Sequence, residues 1–431
     1  CEGQEYSRTD ARGSCVSRSS SLLITNCSQL LTMAGPSRPR VGTELREPHI
    51  VNDGAMLLRN GRVAVVGTRE EIEPLADSGT QVVDAGGRVV MPGFVDAHTH
   101  LVFAGNRADE FEMRCAGMTY QQIAERGGGI RSTVRRTRQA TEDELVHVGQ
   151  KHARWFLQGG TTTVEAKSGY GLTVDDELKL LRATRCVSET TPLRCIPTFL
   201  GAHEIPDEFK THPDDYVDLV VTEILPKVAA EKLAEFCDIF CESKVFSLAQ
   251  AERVLTAAKG HGLGLRVHAD QFTSIGAVEL AATLGAKTVD HLEQTTHGSI
   301  TVMKKAGLQP VLLPGSVYAI GSQKYAPARA MIEAGLPIVI ASDFNPGSSP
   351  TTSMTMILSL ACTQMKMTPA EAVTAATVNA AWSLNRGREI GSLEPGKIAD
   401  FAIHDAEDYR ELAYFFGNHR PYAVFAAGVK V

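Results

Sequence analysis

The stretch Asp96-Ala97-His98-Thr99-His100 follows a hydrophobic run over residues 89–95 and determines how the rest of the chain is interpreted. Side chains alternate between the two faces of a strand, so His98 and His100 point the same way. Two imidazoles placed in this way can bind one metal ion. A single His-x-His also arises by chance in surface strands, so the interpretation depends on what the remaining sequence adds.

The composition is that of a soluble globular protein. With 431 residues, the chain is long enough for one large barrel-type domain and a smaller one. A net charge of −7 and a pI near 6.0 argue against nucleic acid or an anionic membrane as partner. No apolar run approaches the length of a membrane span. The nine irregularly spaced cysteines fit reduced thiols in a cytoplasmic protein.

The order of the predicted elements divides the chain into three parts. Residues 1–20 are polar and rich in serine and arginine, and are expected to be a disordered tail or an expression scar. Residues 21–88 contain short alternating runs, including a hairpin around Asn60-Gly61, and residues 385–431 return to strand-like runs. The two ends are therefore predicted to pair into one small composite β-domain, resembling a β-sandwich.

Residues 89–384 contain eight strand-like runs, each followed by a helical pattern. The runs cover residues 95–98, 161–167, 194–203, 238–242, 265–269, 288–291, 309–313 and 337–342. Eight such units in succession predict an α/β fold, a (β/α)8 TIM barrel, and argue against an open doubly wound sheet. After the barrel strands, residues 368–383 are predicted to form one helix that begins with a capping box of Thr368 and Glu371.

Polar side chains end several of the predicted strands. The active site of a barrel lies at the carboxyl ends of its strands, so these side chains are expected to meet. The predicted metal ligands are His98, His100, His268 and Asp343. Three imidazoles and one carboxylate suit one Zn or Fe ion with an open position for water, whose pKa the metal lowers. Asp343 is also expected to accept the proton of that water, and His291 to polarise a substrate carbonyl.

These motifs resemble the amidohydrolase superfamily. The resemblance rests on residues 96–100, His268, His291 and Ser342-Asp343, and it extends to the flanking β-domain through residues 393–400. Many dinuclear members carry a carboxylated lysine at the end of the fourth strand. Here that strand ends Phe240-Cys241-Glu242-Ser243, and Lys167 lies on the second strand instead. The resemblance therefore implies a mononuclear metal site.

More specific signatures lie in residues 102–107, 127–138, 165–172 and 342–347. They are similar to the amidohydrolases that hydrolyse 4-imidazolone-5-propanoate to N-formimidoyl-L-glutamate, the third step of histidine degradation. The resemblance implies that the ring amide of this small molecule is opened, and it makes a homodimer plausible. The propionate needs a cationic partner, for which Arg107 is a natural clamp. A surface salt bridge with Asp109 or Glu110 is the alternative role of Arg107.

The other candidate substrate-binding residues are Tyr120, Tyr170, His203, Gln271, Asn345, Gly347 and Ser348. Gln271 departs from the expected pattern, because many related enzymes carry a glutamate at this position. A neutral amide cannot shuttle a proton, so Gln271 is assigned to substrate orientation. Proton transfer then falls to Asp343 and His291, with Asp343 passing the proton of the attacking water to the departing ring nitrogen.

Two other functions stay open. The chain can be another mononuclear amidohydrolase, such as a ring deaminase, which would release ammonia. It can also be a non-catalytic scaffold that has kept the barrel. The scaffold is disfavoured because such a protein should have lost metal ligands, whereas all four are present.

Overall fold

A computed structural model describes residues 21–118, 122–123, 127–418 and 420–431. The predicted tail and Tyr120 lie outside these described residues. Among them, the strands form two sheets, one of seven strands and one of eight. Within this part of the chain, no helix combines the length and the apolar character needed to cross a bilayer.

The strands are named in chain order. They are β1 Ser21–Leu31, β2 Ile50–Arg59, β3 Arg62–Thr68, β4 Gln81–Pro92, β5 Phe94–Asp96, β6 Thr161–Lys167, β7 Arg194–Ala202, β8 Phe236–Ile239, β9 Gly264–Ala269, β10 Thr288–His291, β11 Gln309–Leu312, β12 Val339–Ile340, β13 Phe401–His404, β14 Pro421–Ala426 and β15 Val429–Lys430. The longer helices are Ala108–Cys115, Ile130–Gln139, Glu142–Gln158, Val174–Thr190, Leu248–Gly260, Ala277–Leu284, His297–Ala306 and Met354–Met365. Shorter helices include Pro213–Leu219, Leu225–Ala230, Pro314–Ala319, Ala328–Glu333, Pro369–Ala375 and Val378–Ser383.

Strands β5 to β12 form the barrel. They lie side by side in sequential order, and their pairings are parallel. A parallel bridge between Thr99 and Phe344, just beyond β5 and β12, joins the first strand to the last. The Asp343 N–H donates to the His98 carbonyl at 3.0 Å across the same junction. The predicted TIM barrel is therefore confirmed.

Strands from both ends of the chain form the second sheet, in the order β15-β14-β13-β4-β1-β2-β3. The hairpin between β2 and β3 turns at Asn60 and Gly61, whose φ values of 51° and 73° are those of the predicted primed turn. Strand β4 continues past residue 88, because Val89 and Val90 pair with β13. The composite sheet is thus confirmed, and the exact division into domains stays a prediction.

The predicted helix over residues 368–383 is wrong in one respect, because the structure divides it into Pro369–Ala375 and Val378–Ser383. Thr368 caps the first helix as predicted, and its side chain accepts from the Glu371 N–H. The break follows from a tertiary contact, since the Ala376 carbonyl accepts the N–H of Val95 from the barrel at 2.9 Å. The barrel strands begin and end within a few residues of the predicted limits.

Candidate active site

Four histidines and one aspartate meet at the carboxyl ends of the barrel strands. The ring of His98 lies 4.6 Å from that of His268, and 5.7 Å from those of His100 and His291, measured between centroids. Asp343 Oδ1 lies 3.5 Å from His98 Nε2 and 3.7 Å from His100 Nε2. All five side chains are buried. His98 belongs to two overlapping sets of possible metal ligands, one with His268 and His291 and one with His100 and Asp343.

Two carboxylates orient the histidines. Asp290 Oδ2 lies 2.7 Å from His98 Nδ1, and Asp238 Oδ2 lies 3.0 Å from His268 Nδ1. A carboxylate that accepts a hydrogen bond from Nδ1–H fixes the tautomer and leaves Nε2 free to bind a metal. His98 Nε2 is buried and has no hydrogen-bond partner among the described residues. An orphaned imidazole nitrogen beside other histidines fits a bound metal ion.

Burial favours the neutral form of His98 and His100, which a metal ligand requires. Desolvation lowers the pKa of His98 and His100 well below the usual range of histidine. The same burial raises the pKa of Asp343, although the charges of His291 and His268 oppose this. For His291, burial lowers the pKa, but the carboxylates of Glu293, Asp343 and Asp290 together outweigh it and the pKa is raised. Asp343 and His291 also have left-handed backbones, with φ of 54° and 81°, a strain that clusters at functional sites.

A buried ionic network lies beneath the histidines. The Lys167 ammonium contacts Asp238 at 2.6 Å, Glu165 at 2.8 Å and Asp290 at 3.6 Å. Arg266 lies 3.0 Å from Glu165. Burial alone would lower the pKa of Lys167, but attraction to Asp238 and Glu165 outweighs it and the pKa is raised. Lys167 is therefore a charged ammonium in an ion-pair network, which differs from the carboxylated lysine of dinuclear sites.

Tyr170 and His203 lie against the metal-ligand cluster. The His203 ring stacks on His100 with centroids 5.0 Å apart and an angle of 15°, and Tyr170 lies 5.5 Å from His100. His203 Nδ1 donates to the Gly169 carbonyl at 3.0 Å, and burial lowers the pKa of His203 to about 3. The structure thus brings both predicted substrate-binding residues to the site.

The loop that carries Tyr170 is held by Glu177, which sequence reasoning missed. Its buried carboxylate accepts the N–H groups of Gly169, Gly171 and Leu172 at 2.8–3.1 Å. The sequence gives no sign of this role, because Glu177 lies on the helix Val174–Thr190, where an acidic residue in the first turn is common.

Arg107 is buried, and its Nε donates to Thr133 Oγ1 at 2.9 Å. A Cβ at position 347 would collide with the guanidinium, so glycine is required there for the approach of Arg107 to the loop after β12. Among the described residues, no carboxylate lies within 4.0 Å of Arg107, and Glu110 instead accepts the Gly129 N–H at 2.9 Å. The surface salt bridge, the alternative role of Arg107, is therefore wrong.

The remaining candidates for substrate binding lie on the loops after β12 and β9. The Asn345 side chain bonds within its own loop, donating to Asp343 O at 2.7 Å and accepting from the N–H groups of Gly347 and Ser348 at 2.8 Å. Ser348 Oγ lies 3.4 Å from Asp343 Oδ2. Gln271 is partly exposed on the loop after β9. Direct binding of substrate by these four residues stays a prediction.

Comparison with known proteins identifies the family of this chain. The sequence model of the Amidohydrolase family matches residues 89–431. The imidazolonepropionase of Solibacter usitatus (strain Ellin6076) is 59% identical over 405 residues, which cover 94% of this chain and 97% of that relative. The chain belongs to the imidazolonepropionase family. A second family member, from Symbiobacterium thermophilum, is 46% identical over 399 residues, covering 92% of this chain and 93% of that protein.

Solved structures share the fold of this family member. A triazine hydrolase variant superimposes with a TM-score of 0.73 at 18% identity, covering 95% of this chain and 94% of that one. An adenosine deaminase from Xanthomonas campestris, solved with bound zinc, gives 0.71 at 20% identity and covers 95% and 92%. At such low identity these likenesses establish the amidohydrolase barrel alone.

Proposed function

We propose that this chain hydrolyses 4-imidazolone-5-propanoate to N-formimidoyl-L-glutamate in histidine degradation, with one bound metal ion, Zn or Fe. The observation that carries the proposal is the buried Arg107 guanidinium, which has no carboxylate partner within 4.0 Å in the described chain. A substrate carboxylate would complete this arrangement beside the histidines. The two imidazolonepropionases that this chain resembles support the choice of substrate.

His98, His100, His268 and Asp343 would hold the metal ion, and their three nitrogens and one oxygen suit either metal. When bound, such an ion supplies Lewis acidity and lowers the pKa of a water molecule. Lys167 is engaged by three carboxylates, so it does not offer a bridging carbamate, and the proposed site is mononuclear.

Asp343 and His291 carry the proton transfers in this proposal. Asp343 accepts a proton from the attacking water as the oxygen bonds to the ring carbonyl carbon. His291, with Glu293 3.5 Å from its Nδ1, donates a hydrogen bond to the carbonyl oxygen as negative charge develops there. Asp343 then gives the proton to the ring nitrogen as the C–N bond breaks. Atoms balance as the addition of one water to the ring amide.

Arg107 binds the propionate, and the other candidate residues bind or orient the ring. Tyr170 and His203 form one wall of the site, against His100. The loop after β12 forms another wall beside Asp343 through Asn345, Gly347 and Ser348. Gln271 orients the substrate through its amide, and Tyr120 is a further candidate.

Incubation of the purified chain with 4-imidazolone-5-propanoate tests the proposal. The ultraviolet absorbance of the substrate is expected to fall without release of ammonia. A chelator should stop the loss, and added Zn²⁺ or Fe²⁺ should restore it. Ammonia release would indicate a ring deaminase instead, and a metal-loaded protein without turnover would indicate a non-catalytic scaffold.

Asp343→Ala is expected to abolish turnover, because the variant lacks both a metal ligand and the proton acceptor. Asp215→Ala, at an exposed position of the helix Pro213–Leu219, serves as the matched control and should leave kcat unchanged. Steady-state kinetics measure both variants. A near-normal kcat in Asp343→Ala would remove Asp343 from the mechanism.

We also propose a homodimer in the cytoplasm, as the family resemblance implies. The seven cysteines within the described residues are all free thiols, which is consistent with a reducing compartment. Light scattering coupled to size exclusion measures the oligomeric state. A monomer at micromolar concentration would contradict the dimer.

A further inference from the structure

A cavity lies at the end of the barrel opposite the histidines. Its volume is about 420 Å³, and its polar lining includes Ser37, Arg40, Trp382, Arg388, Glu394 and Lys397. Asn379 shows where the cavity lies in the barrel. Its Nδ2 donates to the carbonyl of Ile338, at the amino end of β12, at 2.9 Å and to the carbonyl of Arg40 at 3.0 Å. The active site lies at the carboxyl ends of the strands, so this cavity is separate from it.

Arg40 brings a buried positive charge to the cavity. Its side chain is 4% exposed, and the guanidinium donates to the backbone carbonyls of Pro36, Arg38 and Met33. Among the described residues, no carboxylate lies within 4.0 Å of it, although the charges of Glu394 and Glu44 partly offset the burial that lowers its pKa. Burying a charge without a directly paired counter-ion is costly, so the arrangement favours an anion as the missing partner.

The backbone of Arg40 is fixed before any ligand arrives. Its N–H donates to Asn379 Oδ1 at 2.7 Å, and its carbonyl accepts from Asn379 Nδ2. These two hydrogen bonds to the Asn379 side chain attach the segment of residues 33–41 to the helix Val378–Ser383. A cation held in this way loses little conformational freedom when an anion binds.

The other charged groups leave the cavity electropositive. Glu394 is already engaged, because it lies 3.1 Å from Lys397 Nζ and accepts from Ser392 Oγ at 2.5 Å. Arg388 is exposed and makes no ion pair within the part of the chain that the structure describes. The lining therefore holds three cations and one carboxylate, and the pairing of Lys397 with Glu394 leaves Arg40 and Arg388 without an ion pair among the described residues, in a chain whose net charge is −7.

We propose that this cavity binds a small anion with a phosphate or carboxylate group, held by Arg40 and Arg388. Both groups accept paired N–H bonds from guanidinium, which is the donor geometry that arginine offers. A bound anion would connect residues 33–41, the helix Val378–Ser383 and the segment of residues 387–397. Its effect is to stabilise the fold, since a ligand that binds only the native state shifts the unfolding equilibrium.

Trp382 lines the cavity and supplies the test. The chain has two tryptophans, so Trp155→Phe leaves Trp382 as the single indole. This full-length variant is titrated with sodium phosphate and separately with sodium glutarate, with chloride keeping the ionic strength constant. The expected result is a saturable change in indole fluorescence together with a higher Tm. The anion that acts at the lower concentration identifies the preferred group, phosphate or carboxylate.

Arg388→Gln in the same background should weaken anion binding on the order of tenfold. Arg185→Gln removes an equally exposed arginine from the helix Val174–Thr190 and should leave binding unchanged. Absence of saturable binding for both anions, or equal affinity in the two variants, would overturn the proposal. Neither readout uses hydrolysis, so the test is independent of the proposed activity.

Discussion

Asp238 and Asp290 connect the chemistry of the site to the interior of the barrel. Each lies against the Nδ1 of a predicted metal ligand, and Lys167 contacts both. One ammonium therefore fixes the positions of the two carboxylates that orient His98 and His268. The predicted metal ligands are thus held in place by charged groups that are not among the predicted ligands themselves.

Asp290→Asn should lower metal affinity by about 10- to 100-fold, because a neutral amide orients His98 less firmly and makes it a weaker base. Competition with a chromophoric chelator measures this affinity. Asp400→Asn is the control, since it breaks the Arg194 ion pair at the composite sheet, away from the histidines. Unchanged metal affinity in Asp290→Asn would refute the orienting role.

Arg107→Met should chiefly raise KM, on the order of 100-fold, with kcat little changed. The expected loss corresponds to about 3 kcal/mol for one partner of a buried charge pair. Arg136→Met is the control, because Arg136 is exposed and donates to the Asn106 carbonyl. Steady-state kinetics distinguish the outcomes, and a fall in kcat at constant KM would show that Arg107 does not act as a remote clamp.

Sequence alone could place His98, His100, His268 and Asp343 together, because a motif and the barrel rule bring strand ends to one place. It could not identify Glu177 or Lys167 as anchors. A single charged residue inside an apolar strand or on a helix has no characteristic spacing. Its partners lie on other strands and become visible only after folding.

At the start of the helix Pro369–Ala375, one buried carboxylate, that of Glu371, makes several contacts. Glu371 accepts from the Thr368 N–H at 2.7 Å and from Arg329 at 2.6 Å, and Arg46 lies 2.9 Å away. Burial would raise the pKa of Glu371, but these partners outweigh it and lower the pKa to about 2. The carboxylate thus ties the start of the helix to two distant segments.

Glu371→Gln should destabilise the protein by about 1–3 kcal/mol at neutral pH, because a buried charge-assisted pair is lost. The folded pKa lies below the ordinary value of 4.5, so the contribution is complete above pH 4.5 and is lost as the pH falls toward 2. The two proteins should therefore converge at low pH. Urea unfolding at pH 7 and pH 3 measures the difference.

Glu144→Gln provides the matched control, since Glu144 holds the same capping position in the helix Glu142–Gln158 but is exposed and contacts Thr141 alone among side chains. Its effect should stay within a few tenths of a kcal/mol, about the size of a surface substitution. Equal losses for both variants would show that the cap, and not the ion pairs, carries the stability.

Helix and strand features were predictable from the sequence where they depend on residues close together in the chain. The capping box and the Asn60-Gly61 turn depend on neighbouring residues, and both were predictable. The break after Ala375 was not, because it depends on the Val95 N–H from a strand far away in sequence. Tertiary hydrogen bonds can override a continuous helical pattern.

For the whole molecule, three of the four predicted metal ligands lie at the junction that closes the barrel. His98 and His100 follow β5, and Asp343 follows β12, where Thr99 and Phe344 form the closing bridge. A metal bound by these residues would join the first strand to the last. Closure of the fold and assembly of the site are therefore one structural event.

Removal of the metal is expected to lower Tm by several degrees, because the ion binds the native state and its loss leaves the closing junction without that link. Calorimetry before and after chelation, and after readdition of Zn²⁺, measures the change. In His98→Ala the chelator should have little further effect. A Tm that is the same with and without metal would contradict the link.

The whole-molecule architecture was predictable because alternating strand and helix patterns and eight repeats leave few alternatives. The exact limit between the composite sheet and the barrel was not. Strand β4 belongs to the composite sheet up to Pro92, and β5 begins two residues later at Phe94. No change of composition marks so short a transition.

The composite sheet also bears on how the chain is made. Strand β4 lies between β1 and β13, so β4 lacks one of its two neighbours until the carboxyl-terminal strands exist. A ribosome releases the chain from its amino end, and domains generally fold as units during synthesis. Residues 21–92 must therefore wait, with one edge of β4 open, until nearly the whole chain has been translated.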